Sequence, residues 1–97
     1  MSTIILKNHV NDTSSNMSGY QLYAILKNFI LKNQTIEIDL IDSLAISSSF
    51  FNSSFGELIE NYGFYNVVKL LKFKNITANQ KVLLKSYFDS YKETSKY

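Results

Sequence analysis

The chain has 97 residues, of which 45% are hydrophobic and 19% are charged, and it contains neither cysteine nor proline. This length and composition indicate one globular domain over residues 1–97 and argue against a disordered chain. The lack of cysteine excludes disulfides and thiolate metal sites and favours a cytoplasmic protein. No apolar run is long enough for a membrane span, and the first residues do not have the order of a signal peptide.

The charge is unevenly distributed along the chain. Residues 1–65 carry three lysines against six acids, whereas residues 66–97 carry seven lysines against two acids. A basic end favours nucleic acid, but the chain has no arginine for the bidentate contacts most used in recognition. We therefore expect a solvated lysine face, and we keep a nucleic-acid-associated protein as an alternative that would use Lys69, Lys72, Lys74, Lys81 and Lys85.

The first third of the chain predicts a strand, a loop and a helix. Residues 3–7 are apolar and β-branched and predict a strand, and the polar residues 8–18 predict a long loop. A fourth strand could be hidden within residues 8–16. Ser18 is the expected cap of a helix with apolar residues at helical spacing, which should end near Asn33.

The middle third predicts a strand, a serine turn and a second helix. Residues 35–40 alternate strictly between apolar and polar side chains, so helices should cover mainly one face of the sheet. Ser47 to Ser49 precede a helix that should stop at Gly63. Gly56 inside this helix costs about 1 kcal/mol relative to alanine, which is tolerable if another backbone packs close there. The apolar stripe comprises Phe51, Phe55, Leu58, Ile59 and Tyr62.

The last third predicts a strand and a helix. Residues 66–73 read as the third strand, and Thr77 with Gln80 forms a capping box for the final helix. The resulting order β-α-β-α-β-α predicts an α/β fold with a small sheet of three to four mostly parallel strands.

Little in the chain indicates catalysis or a metal. His9 is the only histidine and falls in the loop. Glu37, Asp39 and Asp42 are close in sequence but lack the glycine-containing loop of a calcium site. The three glycines are too far apart for a phosphate loop. We therefore expect no enzyme activity, no cofactor and no metal.

The most specific pattern is IEIDLIDSLAISSSFFNSSFG, at residues 36–56. It resembles the strand, turn and helix of STAS domains, the anti-anti-sigma fold, in which a strand acid leads to an apolar residue and a serine pair. Asp39 matches the strand acid and Ile46 the apolar residue. Ser48 and Ser49 match the serine pair.

The segment departs from typical STAS domains in two places. Ser47 stands where those domains have aspartate, and Phe50 with Phe51 replaces a Gly-Leu pair. The run from Ser49 to Phe51 and the later Phe55-Gly56 pair bring the chain closer to a STAS-like family of unknown function.

The resemblance implies a regulatory protein-binding module from a bacterium or a phage. In STAS partner switches, the partner is a histidine-kinase-like ATPase that phosphorylates a serine at the helix start and so breaks the complex. That position carries over to Ser49, with Ser48 as the second phosphoacceptor candidate. From the residues alone, a serine here is an ordinary N-cap, and a phosphate would also meet the positive end of the helix dipole.

The outer flank of the second helix is the expected partner surface. Phe50 is expected either in the core or as an exposed anchor at the helix start. An alternative is a small phage-type or anti-CRISPR-like inhibitor that binds without a serine switch, and the oligomeric state, monomer or dimer, stays open. The partner-binding prediction comprises Ser47, Phe50, Ser53, Ser54, Glu57 and Asn61.

Overall fold

Three short parallel strands form one sheet: β1 (Ser2–Ile5), β2 (Ile36–Asp39) in the centre and β3 (Leu71–Lys74). The computed structural model describes residues 2–94. Within that range residues 8–16 form no strand, so the idea of a hidden fourth strand is wrong. The carboxylate of Asp12 accepts the N–H groups of Ser14 and Ser15 at 3.0 and 2.8 Å, which folds this segment into a turn.

The sheet has one apolar and one polar face, because successive side chains of a strand point to opposite sides. Ile36 and Ile38 on the central strand are fully buried beneath the helices. Glu37 lies on the other face, paired in register with Thr3 and Lys72, and it accepts a hydrogen bond from the Thr3 hydroxyl at 3.0 Å. The prediction of helices mainly on one face of a parallel sheet is confirmed.

Helix α1 (Asn16–Leu31) begins earlier than the predicted cap. Ser15 is the cap, and its hydroxyl accepts the N–H of Ser18 at 3.1 Å. Ser18 itself is buried inside the first turn, so its prediction as the cap is wrong. Asn33 has a φ of 55°, which confirms the left-handed stop after the helix.

The second helix changes its winding along its length. It begins as α2 (Ser48–Phe51), continues through a π-helical turn (Asn52–Gly56) and ends as α3 (Glu57–Tyr62). Gly63 has a φ of 92° and ends the helix as predicted.

The π turn changes which side chains reach the surface. A π turn has more residues per turn than an α-helix, so it rotates the helix surface relative to the expected 3.6-residue spacing. Ser53 and Ser54 were expected on the outer flank but are 4% and 0% exposed. The Ser53 hydroxyl donates to Asn16 Oδ1 at 2.8 Å, and the Ser54 hydroxyl donates to the Phe50 carbonyl at 2.7 Å.

The third strand is shorter than predicted, because a helix occupies its expected start. Helix α4 (Phe64–Val68) follows Gly63 directly, and β3 begins only at Leu71. The Asn66 side chain donates to the Tyr62 carbonyl at 3.0 Å, and the Val67 N–H donates to the Gly63 carbonyl at 3.2 Å. These local bonds favour a helix over the strand that the valine pair predicts.

Helix α5 (Ala78–Thr94) starts at the predicted capping box. The Thr77 N–H donates to Gln80 Oε1 at 3.0 Å, and the Gln80 N–H donates to Thr77 Oγ1 at 3.1 Å. The Gln80 amide also donates to the carbonyls of Ser43 and Leu44. The cap therefore ties α5 to the loop that leads into the second helix.

Aromatic rings join the second helix to α5 on the covered face. The ring of Phe51 is fully buried, and its centroid lies 4.8 to 5.8 Å from four other rings. Phe50 is also fully buried, so it belongs to the core and is not an exposed anchor. The four rings around Phe51 are those of Phe55, Tyr87, Phe88 and Tyr91.

Helix α1 packs on the opposite side of the second helix at very short range. A Cβ atom at Gly19 would lie 2.7 Å from both the Phe50 carbonyl oxygen and Ser53 Cβ. Only glycine allows this approach without a backbone shift. The second helix is thus held between α1 and α5.

We expect Gly19→Ala to lower the free energy of unfolding by about 1–2 kcal/mol. Overpacking costs about 1–3 kcal/mol, and the better helix propensity of alanine offsets up to about 1 kcal/mol. Urea unfolding measures the change, and Gln21→Ala on the exposed side of α1 is the control, with a change within about 0.5 kcal/mol. A Gly19→Ala protein as stable as the wild type would contradict the close packing.

Candidate functional site

Ser47 is the N-cap of the second helix. Its backbone is extended, with φ −77° and ψ 161°, and its hydroxyl accepts the Phe50 N–H at 3.1 Å. The same hydroxyl donates to the Ser14 carbonyl at 2.9 Å, and the Ser47 N–H donates to the Thr13 carbonyl at 3.0 Å. Ser47 therefore caps the second helix and bonds it to the loop that precedes α1. These hydrogen bonds are sufficient to explain a serine at this position.

Ser48 and Ser49 lie in the first turn of the helix and are exposed. No side-chain hydrogen bond within residues 2–94 involves either hydroxyl. Ser49 precedes Ser53 by about one helical turn, and Ser53 bonds to Asn16, so Ser49 lies beside the first turn of α1. Both predicted phosphoacceptors are thus accessible and stand on a fixed helix start.

The other predicted partner-binding residues do not form one surface with these serines. Phe50, Ser53 and Ser54 are buried, so their prediction as exposed contacts is wrong. Glu57 is half-buried, and Asn61 is exposed and donates to the Tyr23 hydroxyl at 2.9 Å. Asn61 is twelve residues beyond Ser49, or about 18 Å along the helix.

Sequence reasoning missed three exposed apolar side chains, two on α1 and one on the loop before the second helix. Met17 is 75% exposed, Tyr20 54% and Leu44 80%. The Thr13 hydroxyl donates to the Ala45 carbonyl at 2.9 Å, which brings the loop that carries Leu44 against the start of α1. Their signal in the sequence is that Met17 and Tyr20 fall outside the buried stripe of α1.

The acid at the end of β2 has a structural role. Oδ1 of Asp39 accepts the Asn75 side-chain amide at 2.9 Å and the Ile41 N–H at 3.0 Å. The hydrogen bond from Asn75, followed by that from the Ile41 backbone, holds the pKa of the Asp39 carboxyl below its usual 3.8. Asp39 thereby joins the end of the central strand to the turn after β3.

The neighbouring acids are engaged separately. Asp42 pairs with Lys7 at 2.7 Å, and Glu37 bonds to Thr3 on the polar sheet face. Among residues 2–94 no three histidines, cysteines or acids come together as a metal site would require. His9 lies exposed in the loop after β1.

The lysines of the nucleic-acid alternative are divided between different elements. Lys72 and Lys74 lie on β3, with side chains on the polar face of the sheet. Lys81 and Lys85 lie on α5, and Lys85 pairs with Asp89 at 2.9 Å. This distribution does not favour a single basic groove.

A family model for the STAS-like domain of unknown function (DUF4325) matches residues 18–81. The chain belongs to this family. The resemblance read from residues 36–56 is thus confirmed, and the match spans the sheet centre, the serine turn and the second helix of the STAS-like domain. β1 and most of α5 lie outside it.

Neither the curated proteins nor the solved structures include a significant match to this STAS-like domain. Across the described part of the chain, no helix has both the length and the apolar character needed to cross a membrane.

Substitution of the three serines should separate capping from surface exposure. Ser47→Ala should lower the free energy of unfolding by about 1 kcal/mol, because a helix N–H loses its acceptor. Ser48→Ala and Ser49→Ala should change it by less than about 0.5 kcal/mol. Urea unfolding of the three proteins is the measurement, and equal losses at all three positions would contradict the assignment of Ser47 as the cap.

Asp39 should make stability depend on pH in acid. Its pKa is lowered in the folded state, so its stabilising contribution is complete above about pH 5 and is lost as the pH falls through the folded pKa. The stability difference between the wild type and Asp39→Asn should therefore shrink as the pH falls from about 5 to 3 in urea unfolding. Asp12, whose pKa is lowered to about 2, titrates alike in both proteins. A constant difference would contradict the prediction.

Proposed function

We propose that this STAS-like domain is a non-catalytic regulatory module that binds a protein partner at the start of its second helix. The observations that support the proposal are the exposed serines at the start of the second helix and the exposed apolar side chains on α1 and on the preceding loop. We propose that these residues together form a docking surface, which comprises Met17, Tyr20, Leu44, Ser48 and Ser49.

The chemistry of the docking surface suits a protein partner. Methionine and aromatic residues are enriched in protein interfaces, where they fill pockets on the partner. Gly19 and Phe50 hold α1 and the second helix in close contact, so binding at the helix start requires little ordering of the backbone.

Phosphorylation of Ser49 would change this surface sharply. A phosphoserine adds about −1.5 to −2 charges to a surface that a partner would desolvate on binding. The nearby loop already carries Asp12, whose pKa of about 2 keeps it ionised at neutral pH. The negative charge would therefore oppose partner binding, which is the direction that a partner switch requires.

The partner that we propose is a histidine-kinase-like ATPase that also acts as a serine kinase, as the STAS resemblance implies. The competing proposal is a small phage-type or anti-CRISPR-like inhibitor, which would bind through Met17, Tyr20 and Leu44 without serine chemistry. The exposure of these three apolar side chains favours both proposals equally, so Ser49 is the residue that separates them.

The test incubates the domain with ATP and the histidine-kinase-like ATPase encoded nearest to its gene. Intact mass should show the gain of one phosphate, which Ser49→Ala abolishes and Ser48→Ala retains. Phosphate that persists on the Ser49→Ala protein would contradict Ser49 as the acceptor.

Calorimetry with the same ATPase tests the docking surface. Met17→Ser and Tyr20→Ser should each weaken binding by about 5- to 30-fold, since truncation of an interface anchor costs about 1–2 kcal/mol. Lys72→Ser, on the opposite face of the molecule, is the control and should leave the affinity unchanged. Affinity that depends on Met17 and Tyr20 without any phosphate transfer would favour the inhibitor proposal.

A further inference from the structure

The π turn at Asn52–Gly56 lies directly after the serine-bearing α2. π turns are rare and lose α-helical hydrogen bonds, so the surrounding structure must stabilise them. Part of that stabilisation is local, because the Ser54 hydroxyl is within 2.7 Å of the Phe50 carbonyl and 3.4 Å of the Phe51 carbonyl. These two carbonyls belong to residues that immediately precede the turn.

Tyr91 of α5 contacts both ends of the turn. Its hydroxyl donates to Asn52 Oδ1 at 2.9 Å, at the first residue of the turn. At the last residue, a Cβ atom on Gly56 would overlap the same hydroxyl. Gly56 therefore makes room for a tyrosine side chain, and not for the backbone whose close packing would also account for a glycine there.

The same tyrosine also contacts α2. The ring centroids of Tyr91 and Phe51 lie 5.8 Å apart. Burial, followed by the charges of Glu60 and Glu57, raises the pKa of Tyr91, so its hydroxyl keeps the proton that it donates.

We propose that Tyr91 is a positioning residue that keeps the turn in its π form and thereby fixes α2, so that α5 regulates the docking surface. The proposal rests on the proposed function for its biological meaning, but its structural content is independent of any partner. A π turn contains about one residue more than an α-helical turn. If the turn became α-helical, α2 would therefore have to rotate by about 100°, the angle that one residue spans in an α-helix. That rotation would remove Phe50 and Phe51 from the core, so release of Tyr91 should disorder α2 instead.

Tyr91 lies outside the part of the chain that the family model matches, which ends at residue 81, whereas Asn52 and Gly56 lie inside it. The coupling is therefore inferred from this chain's own residues. Any binding event or modification on α5 that moved Tyr91 away from Gly56 would reach Ser48 and Ser49 through the turn.

Amide hydrogen exchange of the whole chain tests the proposal without a partner. Tyr91→Phe keeps the ring and removes the hydroxyl, and it should speed exchange about tenfold at the amides of Phe50, Phe51 and the turn. Amides of β2 should keep their wild-type rates. Tyr23→Phe is the matched control, since it removes a tyrosine hydrogen bond to Asn61 beyond the turn, and it should leave the Phe50 amide unchanged.

Gly56→Ala is a second test, for which helix propensity and the proposal predict opposite changes in amide exchange. Alanine raises helix propensity, so a turn that did not depend on Tyr91 would become more protected. A Cβ atom that displaces the Tyr91 hydroxyl should instead speed exchange at the Phe50 and Phe51 amides.

The coupling between Tyr91 on α5 and the start of α2 is measured with Ser47→Ala, which removes the N-cap of α2. If Ser47 and Tyr91 stabilise the same conformation of α2, loss of one leaves less for the other to stabilise. The combined effect of Ser47→Ala and Tyr91→Phe on the exchange rate of the Phe50 amide should then be at least threefold smaller than the product of the single effects. Ser47→Ala with Tyr23→Phe should give the simple product.

Three results would overturn the proposal. They are unchanged exchange at Phe50 and Phe51, an acceleration that is uniform over the whole domain, and multiplicative effects of Ser47→Ala and Tyr91→Phe. Failure of the ATPase to bind or to phosphorylate the domain would overturn the proposed function and leave these exchange results standing.

Discussion

The burial of two adjacent phenylalanines at the start of the second helix is the packing constraint from which the arrangement of the helices around it follows. Phe50 and Phe51 point about 100° apart on a helix, so both can be buried only if the helix has neighbours on two sides. Helix α1 supplies one neighbour through Gly19, and α5 supplies the other through its aromatic rings. The position of the helix start follows from these two contacts.

This constraint explains why the serines have different environments although they are adjacent. Ser47 must close the helix end and therefore forms hydrogen bonds with Phe50 and Ser14. Ser48 and Ser49 occupy the part of the first turn that neither neighbouring helix covers. A rigid backbone with free hydroxyls is suited to recognition, because a partner or kinase meets a surface that is already ordered.

The π turn allows the apolar side chains at the start of the second helix and those at its end to be buried together. Phe51 and Phe55 face α5, while Leu58 and Ile59 continue the core below them. As a consequence, Ser53 and Ser54 are buried, and a buried hydroxyl must form a hydrogen bond. Ser53 donates to Asn16, and Ser54 donates to the Phe50 carbonyl. Tyr91 and Gly56 then make the turn dependent on α5, which links the serine surface to the last helix.

Elements that depend on local chemistry could be predicted from the sequence. Alternation predicted β2, the capping box predicted the start of α5, and Asn33 and Gly63 marked the two helix ends. The segment from Asp39 to Gly56 also indicated the STAS-like family, since its pattern is carried by contiguous residues.

The surface of the second helix could not be predicted in this way, because it follows from tertiary contacts. Helical periodicity assumes 3.6 residues per turn, and the π turn breaks that period through contacts with residues as distant as Asn16 and Tyr91. The hydrogen bonds of Thr13 and Ser14 with the loop before the helix likewise bring the start of α1 against the start of the second helix. A contact between residues more than thirty positions apart leaves no periodic trace in the chain, so the candidate site could be located from the sequence but its surface could not.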